Sequence, residues 1–139
     1  MKTIIFSIMT AAIASTFSSP AQEEKFIEQT IVQFVKGTSS RDVYNMNYIL
    51  HEKFQAVIAI HEISMISKSD YMKMLAWKEL GGTKQDVEIV SLEIAEFTAA
   101  AKVKITSIGG VQEMFYHLYR DSNGGWQMLY VLPHGVNKV

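Results

Sequence analysis

Apolar positions along this chain follow two rhythms in succession. From Glu23 to Lys36, "EEKFIEQTIVQFVK" brings Phe26, Ile27, Thr30, Ile31, Phe34 and Val35 to one side of a helix, with Gly37 as its expected C-terminal cap. "TSSRDVYNMNYIL" predicts a second helix, capped by Ser39 or Ser40, with Val43, Met46, Ile49 and Leu50 inside. "KFQAVIAIHE" then reads as a strand. A third helix is expected in "SKSDYMKMLAWKEL", where Ser67 and Asp70 have capping-box spacing and Gly81-Gly82 ends the element. Beyond it the period falls to two. "DVEIVSLEI", "AAAKVKITSI", "VQEMFYHLYR" and "WQMLYVL" are four strand signals separated by short turns. Helices followed by an antiparallel meander make an α+β fold.

The turns set a testable register. With Gly109-Gly110 as a hairpin loop, Ile105 faces Met114, Val103 faces Tyr116 and Ala101 faces Leu118. Across "DSNGG", Arg120 faces Trp126, Leu118 faces Met128 and Tyr116 faces Tyr130. Across "AEFT", Leu92 faces Ala101 and Val90 faces Val103. One face then carries Val90, Leu92, Ile94, Ala101, Val103, Ile105, Met114, Tyr116, Leu118, Trp126, Met128 and Tyr130, and is apolar apart from its tyrosines. The other mixes charge with aromatics: Ile89, Glu93, Lys102, Lys104, Phe115, His117, Tyr119, Leu129 and Val131 among them. The apolar face should meet the helices, since a one-residue slip would reverse every side chain.

Composition narrows what such a domain does. The first residues, "MKTIIFSIMTAAIASTFSSPAQ", combine a basic Lys2, an apolar run and small residues, the layout of a secretory leader. Residues 1–21 are expected to be a signal peptide and 22–139 a single domain, exported to the periplasm or secreted. The apolar run is shorter than the roughly 20 residues a membrane span requires, and no later segment is apolar enough to be one. Cysteine is absent, which excludes disulfides, zinc-thiolate sites and thiol catalysis. Thirteen basic against fourteen acidic residues, without a basic stripe, give no electrostatic reason to bind nucleic acid. Four scattered histidines make no metal site, and no cofactor is expected.

An apolar face with a few polar groups suits a ligand cavity. Tyr116, Tyr130, Trp126, Met128, Val103 and Leu118 are therefore the candidate lining for a small apolar or aromatic ligand, the alternative being that they only complete the core. Phe115, His117, Tyr119, Leu129 and Lys102 form a back too apolar for full solvation, which suggests a second copy of the chain covers it. No Asp, Glu or His falls among the central inward positions. A catalytic base would have to come from His51 or His61, flanking the first strand, and a histidine there is more often structural.

The segments "FIEQTIVQFVKG", "RDVYNMNYILHEKF", "MISKSDYMKML" and "FYHLYRDSNGGWQMLYV" resemble those of the nuclear transport factor 2-like superfamily, within it the lumazine-binding-like and SnoaL-like group. The resemblance spans nearly all of residues 22–139. It implies a cone, the cystatin-like α+β roll, in which three helices pack on a curved, mainly antiparallel sheet around a pocket. It also implies frequent homodimers through the outer sheet face, and matches His51 to a histidine often found after the second helix. Members include pure binding domains, structural or interaction domains, and isomerases, dehydratases or cyclases with a carboxylate or histidine base in the cone. The inward list lacks that base, so a binding domain is the leading expectation, an interaction domain the next and an enzyme the third.

Overall fold

A computed structural model describes residues 19–59 and 62–137, with the backbone alone at 59 and 135–137. Most of the expected leader, up to residue 18, and His61 lie outside the described residues. The elements are α1 (Pro20–Ser40), α2 (Val43–Ile49), β1 (Leu50–Ala59), β2 (Ile63–Ser67), α3 (Lys68–Ala76), β3 (Asp86–Ile94), β4 (Thr98–Ser107), β5 (Gly110–Arg120) and β6 (Trp126–Asn137). Strands run in the order β2-β1-β6-β5-β4-β3 in one curved sheet, antiparallel except for the β1–β6 pair. The helices cover its concave face, as an α+β roll requires.

Local chemistry explains where the helices begin and end. Ser19 caps α1 through its side-chain oxygen, which accepts from Gln22 N, and Pro20 follows in the first turn, where a missing N–H costs nothing. Gly37 was expected to end α1, but the helix continues to Ser40 and closes at Arg41, in the left-handed region at φ 54°. Asp42, rather than Ser39 or Ser40, caps α2, accepting from Asn45 N. Gly37 serves packing instead: a Cβ there would sit 2.5 Å from Met46 Sδ, so its absence lets α1 and α2 touch. Ser67 caps α3 as expected. Strand β2 was not anticipated. It pairs with β1 as a short edge, Val57 opposite Met65.

The core is one cluster, drawing Ile27, Ile31 and Phe34 from α1, Met46 from α2, Leu75 from α3, and Leu50, Phe54, Leu92, Val103, Leu118 and Met128 from the sheet. The predicted faces hold over most of the meander, with four shifts, one of them between Glu113 and Met114 opposite the end of β6. The β4–β5 turn uses Ile108 and Gly109, so Val103 lies opposite Met114 and Ala101 opposite Tyr116, two residues from the expected pairing. A shift of two keeps each side chain on its face.

The other shifts are β-bulges, which insert one residue and reverse the alternation beyond it. In β6, Met128 pairs with Leu118 but Tyr130 with His117, leaving Leu129 as the extra residue. Tyr130 is thereby turned to the outer face, and Val131, expected outside, is buried opposite Tyr116. In β3, Leu92 pairs with Ala101 but Ile89 with Val103, so Val90 is the extra residue and Ile89 packs against the core. Each bulge also adds the local twist that bends the sheet round α1.

Candidate functional site

The C-terminal half of α1 crosses the concave face without filling it. A cavity of about 250 Å³ remains, walled by Phe34, Val35 and Thr38 of α1, Tyr71 of α3, and Ala56, Ile105, Met114, Tyr116 and Val131 of the sheet. Val57 and Ile58 of β1 adjoin it, and half-buried Leu80, Gln85, Gln112 and Pro133 complete the lining on its outer side. The described lining residues include no Asp, Glu, His, Lys or Arg. Phe34 organises the aromatic wall. Its ring lies edge-on to Tyr116 at 5.3 Å between centroids and stacks on Tyr71 at 5.9 Å.

Three hydroxyls reach this space. Tyr71 and Thr38 share a buried hydrogen bond of 2.8 Å. Tyr116 is 3% exposed overall and makes no side-chain hydrogen bond among the described residues, and since no buried side-chain oxygen there lacks a partner, its hydroxyl opens onto the cavity. Burial disfavours the phenolate, and pushes Tyr71 up to about 12 even though the Thr38 bond pulls the other way. Burial raises Tyr116 further, with the nearby Tyr71 adding to the effect. Both hydroxyls therefore keep their protons throughout the neutral range.

The outer wall is fixed by Arg41. Its Nε donates to Leu80 O at 3.0 Å and its Nη2 to Gly81 O at 2.9 Å, which ties the α3–β3 connection to the end of α1. That connection approaches α1 so closely that a Cβ on Gly81, at φ +78°, would stand 2.1 Å from Thr38 O. Glycine meets both demands, the left-handed backbone and the missing side chain.

A second polar constellation lies at the other end of α1. Glu23, only 3% exposed, accepts from Arg120 Nη1 at 2.9 Å and Trp126 Nε1 at 2.5 Å. Both carboxylate oxygens are thus satisfied, and the cluster pins the first helical turn to the ends of β5 and β6. The helical pattern placed Glu23 only at the start of its first stretch. The available signal was its spacing: Glu23 stands four residues before Ile27, on the stripe that continues through Ile31 and Phe34.

Of the expected ligand-binding residues, Tyr116 alone lines the cavity. Val103, Leu118, Trp126 and Met128 are buried inside the cone but pack in the core away from it, and Tyr130 is on the opposite face. Phe34, Thr38, Tyr71 and Val131 were missed as lining residues, the first three because they sit on helices, whose rotation over the sheet strand alternation does not fix. His51 does not overhang the cone. Its ring stands edge-on to Tyr119 at 5.3 Å and its Nδ1 accepts from Lys53 N.

The outer face gathers the expected aromatic residues. His117 is edge-on to Tyr130 at 6.0 Å, and Phe115 lies 4.5 Å from the His134 ring. Lys102 pairs with Glu113 at 3.2 Å, and this hydrogen bond holds the Glu113 carboxyl below its ordinary range. Leu129, in the bulge, is half-buried. Towards the β2 edge the face becomes apolar, with Met65 opposite Val57 and Leu132 opposite Phe115. Ile63 and Met65 there are 80% and 58% exposed. Among the described residues no helix is long and apolar enough to cross a membrane, and no three His, Asp or Glu side chains group as metal ligands.

No family model and no curated protein matches the sequence. Solved structures do match the fold. A nuclear transport factor 2-like protein of unknown function from Silicibacter pomeroyi superposes with a TM-score of 0.74 at 14% identity, over 86% of this chain and 100% of that one. A nuclear transport factor 2-like protein of unknown function from Shewanella baltica gives 0.70 at 13% identity, over 85% and 97%. A protein with a cystatin-like fold from Nostoc punctiforme gives 0.69 at 10% identity, over 81% and 90%. The chain has the nuclear transport factor 2-like fold.

Proposed function

We propose that this chain is an exported domain that binds a small, largely apolar molecule in its cone, without catalysing a reaction on it. The observation that carries the reading is the cavity beside Tyr116: a half-open, largely apolar space onto which a protonated hydroxyl opens that no described residue engages. A pocket of this kind supplies hydrophobic affinity and one or two orienting contacts. An isomerase, dehydratase or cyclase would need a base within reach of the substrate. Tyrosines whose protons are held this firmly are poor bases, and the described lining residues offer no carboxylate or imidazole. Export is supported by the leader-like composition of residues 1–21. Native mass spectrometry of protein purified from its own source tests the reading. A retained small molecule is expected, lost on unfolding. A ligand-free spectrum, with no thermal stabilisation by any small aromatic compound, argues against it.

A homodimer through the outer sheet face is the second element of the proposal. It is favoured by the half-buried Phe115, Leu132 and Val57 beside the exposed Met65 and Ile63, an apolar strip that an isolated chain would leave wet. Were the cone empty in the native protein, this face would make the chain an interaction domain instead.

A further inference from the structure

We infer that the cone selects uncharged single-ring compounds bearing a hydrogen-bond acceptor, such as an aryl ketone or aldehyde; this rests on the binding reading above. The inference comes from counting protons. Tyr71 and Thr38 have two hydroxyl protons between them, and their mutual bond uses one. The other finds no acceptor among the described residues, where the only side-chain hydrogen bond of either hydroxyl is the mutual one. Tyr116, whose hydroxyl opens onto the cavity, contributes another unmatched proton. The cavity wall therefore presents two donors, and its buried side chains supply no acceptor beyond the same hydroxyl oxygens. Only Gln85 and Gln112, half-buried on the outer side, offer an amide oxygen.

A complementary guest brings an acceptor to the Tyr116 end of the cavity. A hydroxyl–carbonyl bond formed out of water orients the guest, and a guest without the oxygen leaves a buried donor unmatched. Charge is excluded on separate grounds. An anion would lie in an apolar space with no cationic side chain among the described lining residues, and an unpaired buried charge is costly. Size sets the third limit. An apolar cavity of about 150 Å³ holds benzene, so about 250 Å³ suits one ring with a short substituent.

Three probes of nearly equal shape separate the possibilities: acetophenone, α-methylstyrene (a methylene group in place of the carbonyl oxygen) and benzoate. Titrations of the isotope-labelled protein, followed by amide shifts, give each affinity for wild type and Tyr116→Phe. Acetophenone should bind at least about tenfold more tightly than α-methylstyrene, with benzoate weakest. In Tyr116→Phe that gap should shrink several-fold through loss of acetophenone affinity alone. Equal binding of acetophenone and α-methylstyrene by wild type overturns the acceptor inference while leaving a binding cavity, and benzoate matching acetophenone overturns the exclusion of charge. If none of the three binds at millimolar concentration, the binding reading falls, and this inference with it. The wild-type comparison needs no variant, so it stands even if Tyr116→Phe folds poorly.

Discussion

The indole N–H of Trp126 donates to the buried carboxylate of Glu23 at 2.5 Å, joining residues 103 positions apart. Arg120 occupies the second carboxylate oxygen, with only 12% of its own side chain exposed. Removing one member leaves the others desolvated and unmatched. Glu23→Ala should therefore destabilise by about 3 kcal/mol. Trp126→Phe keeps the apolar bulk and should cost about 1 to 2 kcal/mol. Urea denaturation of both, and of the double variant, measures the coupling. Additive losses would mean that the bond contributes nothing of its own.

Two glycines with similar backbone angles separate strain from collision. Gly81 has φ +78° and no room for a Cβ, whereas Gly124 has φ +87° with nothing within 4 Å of that position. Gly124→Ala should cost about 1 kcal/mol, from the left-handed conformation alone. Gly81→Ala should cost at least twice as much, since the added carbon meets the Thr38 carbonyl and must displace the loop held by Arg41. Comparable melting temperatures for the two variants would contradict the close approach.

Alkaline pH should weaken the fold through Tyr71. Its folded value of about 12 exceeds the ordinary 10.0, so the unfolded chain loses this proton first. Stability from this group is complete below pH 10 and declines as pH rises through about 12, by roughly 2 to 3 kcal/mol in all. Tyr71→Phe removes this share of the slope and leaves that of Tyr116, which burial raises in the same direction, although it also breaks the bond to Thr38 and so lowers stability at neutral pH. Denaturant titrations between pH 9 and 12 would show the difference, and parallel curves for variant and wild type would refute it.

The outer face predicts an association that one charge should disrupt. In light scattering the wild type is expected at twice the chain mass. His117→Glu, at an exposed position, should halve the mass while shifting stability by no more than about 0.5 kcal/mol. A variant that stays dimeric would place the interface elsewhere.

Tyr116 and Tyr130 show how far strand periodicity can be read. Both obeyed the same rule of alternation, yet one lines the cavity and the other lies outside. The turn fixes pairing only as far as Leu118 and Met128. Beyond the extra residue Leu129 the parity reverses. Nothing in "WQMLYVL" announces that extra residue, because Tyr and Val suit either face of a strand. The same holds at Val90. The two-residue displacement of the β4–β5 pairing did less harm, since it preserved parity.

The sequence by itself determined the layers: which segments are helices, that four strands make a meander, and that its Leu92–Val103–Leu118–Met128 surface turns inward. These are consequences of local periodicity and turn chemistry, which act over a few residues. Tertiary structure alone decided where the cavity lies, which tyrosine lines it, and that Glu23 is a buried partner of Trp126 and Arg120. Those outcomes depend on how α1 is rotated over a bent sheet and where bulges take up the curvature. They come from packing between residues far apart in the chain, which no local pattern encodes.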